Sequence, residues 1–173
     1  MTDLVYILGI ILPAGAVLFG MYLVVKSFTQ KELEKRLVEI KLKNAELVVP
    51  IRLQAYERLC LLLERLSPGN LVVRVNESNY SSVILHQRLR MEIREEFNHN
   101  LSQQVYVSSA NWRLINNSID ELIGTINIAY RNVEPESKSI EMAKAVFEQW
   151  QAKEQDPIAF TLDNLKAEIQ KIF

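Results

Sequence analysis

The chain has 173 residues, of which 49% are hydrophobic and 24% are charged. Its 20 basic and 21 acidic residues give a formal net charge of −1, so it lacks the broad basic field that non-specific nucleic-acid binding requires. Nucleic acid is therefore not an expected partner. This length supports one modest hydrophobic core, and the five glycines and five prolines indicate few breaks in regular structure.

The amino-terminal segment of residues 4–25 carries no charged residue and is bounded by Asp3 and Lys26. As a helix rising 1.5 Å per residue it would cover roughly 33 Å, which matches the hydrocarbon core of a bilayer. The segment therefore predicts a transmembrane helix, with residues 1–3 as an external amino terminus. A cleaved secretory signal is the alternative, but the basic start and the small-x-small cleavage site that it needs are missing.

The distribution of basic residues predicts the orientation of this helix, because lysines and arginines near a span are retained in the cytoplasm. No basic residue precedes the segment, whereas six follow it closely: Lys26, Lys31, Lys35, Arg36, Lys41 and Lys43. We therefore expect a single-pass membrane protein with its amino terminus outside and its carboxyl-terminal domain in the cytoplasm. The lipid bilayer is the first expected partner.

Two small residues within the apolar segment, Ala16 and Gly20, are four positions apart. Such a small-x3-small pair lets a second helix approach closely. We therefore take both residues as interaction candidates, and we expect either a membrane-protein partner or a second copy of the chain.

Residues 26–49 are rich in charge and form a predicted helical stalk. Within them, apolar or amide residues recur at alternating steps of four and three, which is the spacing of a coiled-coil seam; these residues are Leu33, Leu37, Ile40, Asn44 and Leu47. A solvated stalk and a self-association seam both explain this pattern. Asn44 at a core-type position is typical of a polar residue that sets the register of a pair.

Residues 50–173 are predicted to form a small antiparallel helical bundle, so that the fold class is all-α. Pro50 marks a joint, because the residue before a proline is pushed out of helical geometry. Apolar periodicity and capping residues predict helices over 51–66, 82–104, 109–132, about 140–150 and 157–172. Residues 71–75 are predicted to form a helical turn rather than a lone strand.

Two apolar helix faces are the main evidence for the predicted bundle. The helix after Ser108 has an unbroken four-three rhythm, typical of a bundle: Trp112, Ile115, Ile119, Leu122, Ile126, Ala129 and Val133. The helix before it is expected to direct a second set of apolar side chains toward the core: Leu85, Leu89, Ile93, Phe97 and Leu101. Leu61 points to the polar side of its helix, and Tyr106 lies in a brief link, so both are further interaction candidates.

The acidic stripe of Glu92, Glu96 and His99 is the one cluster to consider for chemistry, because Glu-x-x-His at helical spacing projects two metal ligands to one side. Di-iron bundles need such a pair from each of two helices, and this chain has one. Glu57 or Glu64 could add at most a carboxylate or two. The favoured interpretation is a polar stripe that fixes helix register, with no cofactor, and a metal-dependent helical-bundle enzyme is the alternative.

Three segments, Arg52–Leu59, Ser67–Leu71 and Arg94–Ser108, carry a resemblance to a known group of sequences. Together they resemble an uncharacterised family of short, single-pass, helical proteins found in Bacteroidota. The resemblance covers most of the chain from about Pro50 to Val133, and the run Asn98–Gln104 is its most specific mark. It implies a bacterial inner-membrane location and implies no activity, cofactor or site.

These observations predict a membrane-anchored cytoplasmic helical interaction protein: an adaptor, an assembly factor or an accessory subunit of a membrane complex. The apolar segment and the near-neutral remainder favour it, and no catalytic set stands out in the sequence. We therefore expect neither an enzyme nor a small-molecule ligand. A spacer or scaffold without a specific partner is a third possibility.

Overall fold

The computed structural model describes the backbone of residues 2–172 and the side chains of residues 7, 9, 13 and 15–171. Over this part of the chain the structure is all-helical, which confirms the predicted helical content. Its α-helices are α1 (Thr2–Leu66), α2 (Pro68–Val75), α3 (Ser82–Asn100), α4 (Ser109–Arg131), α5 (Ser139–Gln151) and α6 (Pro157–Ile169). Two short 3-10 helices, Leu101–Val105 and Gln170–Ile172, follow α3 and α6.

The prediction of a transmembrane helix over residues 4–25 is wrong for the part of the chain that the structure describes. None of the helices built from described residues is both long enough and apolar enough to cross a membrane. Within the predicted segment the side chains are described continuously from Gly15 onwards. Most side chains before it lie outside the described residues. The predictions of a single-pass topology and an inner-membrane location are corrected with it.

The chain divides into two compact units, Met1–Val48 and Val49–Phe173. In the first unit the described residues form helix alone. The predicted helix boundary at Pro50 is wrong, because α1 is helical through this position as far as Leu66. Proline removes one backbone hydrogen bond from a helix, but its fixed φ angle is close to the helical value, so that the helix bears this loss without ending.

Capping residues set the starts of two bundle helices as the sequence predicts. The Ser108 hydroxyl accepts a hydrogen bond from the Asn111 N–H at 3.2 Å, at the start of α4. The Asp156 carboxylate accepts bonds from Ile158 and Ala159 N–H groups at 2.8 and 3.1 Å, at the start of α6. Each cap satisfies donors that have no partner within the helix.

The starts of α3 and α5 lack side-chain caps and use each other's backbone instead. Ser82 donates its N–H to the carbonyl of Ser137 at 2.9 Å, and Ser139 donates its N–H to the carbonyl of Tyr80 at 3.0 Å. This isolated antiparallel bridge supplies acceptors for free N–H groups at both helix starts. It also fixes the two helix starts side by side.

The core lies in the second unit, where α4 packs against α3, α5 and α6. Both predicted apolar faces are confirmed over most of their length, since Leu85, Leu89, Ile115, Leu122 and Ile126 are completely buried. The carboxyl-terminal part of α1 contributes four leucines to the same core: Leu59, Leu62, Leu63 and Leu66.

Leu101, which the periodicity predicts to face inward, is exposed instead, and so is Ile140 at the start of the predicted helix over about 140–150. Leu101 begins the 3-10 helix after α3, whose tighter winding no longer follows the face of the α-helix. Ile140 lies in the first turn of α5, and Met142 is buried in its place. In both cases the start or end of an α-helix lies one residue away, where the periodic pattern is least informative.

We predict that Leu122→Ala lowers the free energy of unfolding by about 2–5 kcal/mol, because it leaves a cavity beside fully buried neighbours. Leu61→Ala makes the same chemical change at a side chain that is 53% exposed, and should cost no more than about 0.5 kcal/mol. Urea denaturation of the two variants measures the difference. Equal destabilisation would contradict the placement of these two leucines.

Candidate interaction surfaces

The predicted metal stripe on α3 is engaged by arginines from α1 and α2. The Arg65 Nε donates to the Glu96 carboxylate at 2.7 Å, and Arg74 forms an ion pair with Glu92. A nitrogen of Arg74 also lies 3.6 Å from the Glu96 carboxylate. These contacts join three helices, as the register-fixing interpretation of the stripe expects.

The side chain of His99, the third member of the stripe, contacts the backbone of its own helix. Its Nδ1 lies 3.1 Å from the carbonyl oxygen of Glu95. Glu57 and Glu64 are exposed on α1. Among the described residues no group of three or more histidine, cysteine, aspartate or glutamate side chains is arranged to hold a metal ion. Nothing in this geometry supports the metal-dependent enzyme.

A hydrogen-bonded cluster around Glu168 was not predicted from the sequence. The Glu168 carboxylate on α6 accepts a bond from the Tyr56 hydroxyl at 2.6 Å. It also accepts bonds from the N–H and the hydroxyl of Ser108 at 2.9 and 2.7 Å, and one from the Asn111 side-chain amide. One carboxylate thus ties α1, the start of α4 and α6 together.

The donors around Glu168 shift two pKa values in opposite directions. Burial by itself would raise the pKa of the Glu168 carboxyl, but the bonds from Tyr56, Ser108 and Asn111 outweigh it and lower that pKa. Burial, and then the hydrogen bond to Glu168, raise the pKa of the Tyr56 hydroxyl to about 12. Glu168 therefore stays ionised and Tyr56 stays neutral at physiological pH.

We predict that Glu168→Gln lowers the free energy of unfolding at pH 7 by about 1 kcal/mol, because its amide cannot accept all of these bonds and the site is partly open to solvent. Since the pKa is lowered in the folded state, the stabilisation is complete above the ordinary glutamate pKa of about 4.3 and is lost as the pH falls through the lowered value. The variant should therefore lose less stability on acidification than the wild type.

Chemical denaturation between pH 3 and pH 7 measures this difference. Asp163→Asn is the matched control, because it makes the same change on α6 at a side chain that is 80% exposed. An identical pH dependence in Glu168→Gln and the wild type would contradict the role of the cluster.

Of the interaction candidates in the second unit, Leu61 is exposed and Tyr106 is half-buried. Tyr106 lines an open cavity of about 410 Å³ with Ile51, Arg58 and Val105 among its other lining residues. Leu61 does not line this cavity, so the structure does not bring the two candidates into one site.

The candidates in the first unit lie on α1. Ala16 is exposed, and no atom of the chain lies within 4 Å of the position that a Cβ at Gly20 would occupy. The described structure thus leaves room for a close approach at both positions, and no second helix of the first unit is described that would fill it.

The predicted seam of residues 33–47 is an uncovered apolar feature of the first unit with a heptad spacing. Its apolar members, Leu33, Leu37, Ile40 and Leu47, are 57%, 58%, 55% and 69% exposed. Asn44 is exposed as well. Arg36 beside the seam forms an ion pair with Glu32 of the same helix at 2.9 Å.

These features define an all-helical protein with a packed bundle in its second unit and an uncovered heptad pattern in its first. The chain belongs to a family of unknown function, DUF7935, whose model matches residues 2–172. No curated protein and no solved structure matches the chain. The predicted membership of an uncharacterised family is confirmed, and a source among Bacteroidota stays a prediction.

Proposed function

We propose that the protein is a helical interaction protein, an adaptor or assembly factor that acts by self-association. The observation that carries this proposal is the uncovered seam of residues 33–47. Its spacing is that of a coiled coil, and its apolar side chains are more than half exposed.

A helix with such a seam gains stability by covering it. Helical propensity alone stabilises short helices poorly in water, and most helical stability in proteins comes from packing of an apolar face. Covering each of the four apolar side chains contributes roughly 1.5–3 kcal/mol when burial is complete. Because association costs at least about 4 kcal/mol and the seam has only about two heptads, we expect reversible pairing.

The ion pairs of the bundle weigh against the metal-dependent alternative. The groups that the sequence offered for metal chemistry hold helices together, as in the pairs of Glu96 with Arg65 and of Glu92 with Arg74. This use favours a structural role for the stripe. Leu61 and the cavity beside Tyr106 are the proposed contact points for further protein partners.

The test compares the wild type with three full-length variants by sedimentation velocity over a range of concentrations. Leu37→Gln and Ile40→Gln, which place amides in the seam, should each weaken self-association at least ten-fold. Leu42→Gln is the matched control, because Leu42 is 59% exposed but lies on the opposite side of the heptad. A wild type that stays monomeric at all concentrations, or equal weakening by all three substitutions, would contradict the proposal.

A further inference from the structure

We infer that two copies of the chain pair in parallel and in register through residues 33–47, with Asn44 of one copy facing Asn44 of the other. This inference rests on the proposed self-association and specifies its geometry. Two independent features of the seam bear on it: the amide among its apolar residues and the charges that flank it.

Heptad positions follow from the four-three spacing. Leu33, Ile40 and Leu47 occupy d positions, and Leu37 and Asn44 occupy a positions. In a parallel, in-register pair each position faces its own copy, so that the two Asn44 amides can donate to and accept from each other. In an antiparallel pair, a positions face d positions.

The d positions of this seam are all leucine or isoleucine. An antiparallel pair in which Asn44 faces any of them would therefore bury the amide against an apolar side chain. A buried amide without a hydrogen-bond partner loses its water and gains nothing in return. The core of the seam thus favours the parallel arrangement.

The flanking charges favour the opposite arrangement. Arg36 occupies a g position and Lys41 the following e position, and these positions face each other across a parallel pair. In an antiparallel pair e positions face e positions and g positions face g positions, so that Lys41 would meet Glu34, an attraction, and Arg36 would meet Lys43, a repulsion. The parallel pair therefore contains two Arg36–Lys41 repulsions.

The amide outweighs these charges because of where each group lies. Burying an unpaired amide costs several times as much free energy of association as placing two like charges together in solvent. The side chain of Arg36 is 69% exposed and already forms an ion pair with Glu32, which reduces its repulsion of Lys41. A direct consequence is that self-association should strengthen, rather than weaken, as salt screens the repulsion.

A single substitution distinguishes the two arrangements by the sign of its effect. Lys41→Glu replaces repulsion by attraction to Arg36 in a parallel pair, and should tighten self-association about ten-fold at low salt. In an antiparallel pair it would place two glutamates together and weaken association. Lys35→Glu is the matched control, because it makes the same charge change at an f position, which points away from the partner.

Disulfide formation tests the register. In a Cys60→Ser background, Gln30→Cys places a thiol at the a position one heptad before Leu37, where in-register parallel copies can form a disulfide. In the antiparallel pair that sets Leu37 against Ile40, the two thiols would lie roughly 25 Å apart along the helix axis.

The outcomes separate the inference from the function on which it rests. Tighter association of Lys41→Glu together with rapid disulfide formation by Gln30→Cys supports the parallel pair. Self-association with weaker or unchanged binding of Lys41→Glu, or without the disulfide, overturns the parallel geometry and leaves the proposed function standing. A wild type that is monomeric at every concentration and salt overturns both.

Discussion

The burial of leucines from the carboxyl-terminal turns of α1 is the contact on which the bundle depends. Leu59, Leu63 and Leu66 are completely buried, in a core that α3, α4, α5 and α6 share. Two polar contacts reinforce it from the edges, since Arg65 pairs with Glu96 and Tyr56 donates to Glu168. The same helix therefore supplies apolar side chains to the core and polar side chains to the contacts around it.

Residues 33–47 also carry regularly spaced leucines, but these lie in a different environment. Leucines in this part of α1 remain more than half exposed, whereas Leu59, Leu62, Leu63 and Leu66 are buried by their own chain. The physical difference is the presence or absence of a covering surface, and this difference is the basis of the proposed self-association. In the parallel pair inferred above, a second copy supplies that surface with Asn44 as its only polar layer.

Much of the bundle could be predicted from the sequence because its signals are local. The Ser108 and Asp156 caps and the periodic face of α4 each depend on residues within a few turns of one another. The Glu168 cluster could not be predicted, because Tyr56, Ser108 and Asn111 are 112, 60 and 57 positions away from it in the chain. Glu92 and Glu96 show the same limit. Their spacing indicated that they share a helix face, but it could not indicate that Arg65 and Arg74 from other helices lie opposite them.

If a second copy covers residues 33–47, association should stabilise this part of α1. Hydrogen exchange of the full-length protein at low and high concentration measures this stabilisation. We expect amides of residues 33–47 to become more protected as the concentration rises, while buried amides of α4 keep the same protection. Protection of residues 33–47 that does not change with concentration would contradict this expectation.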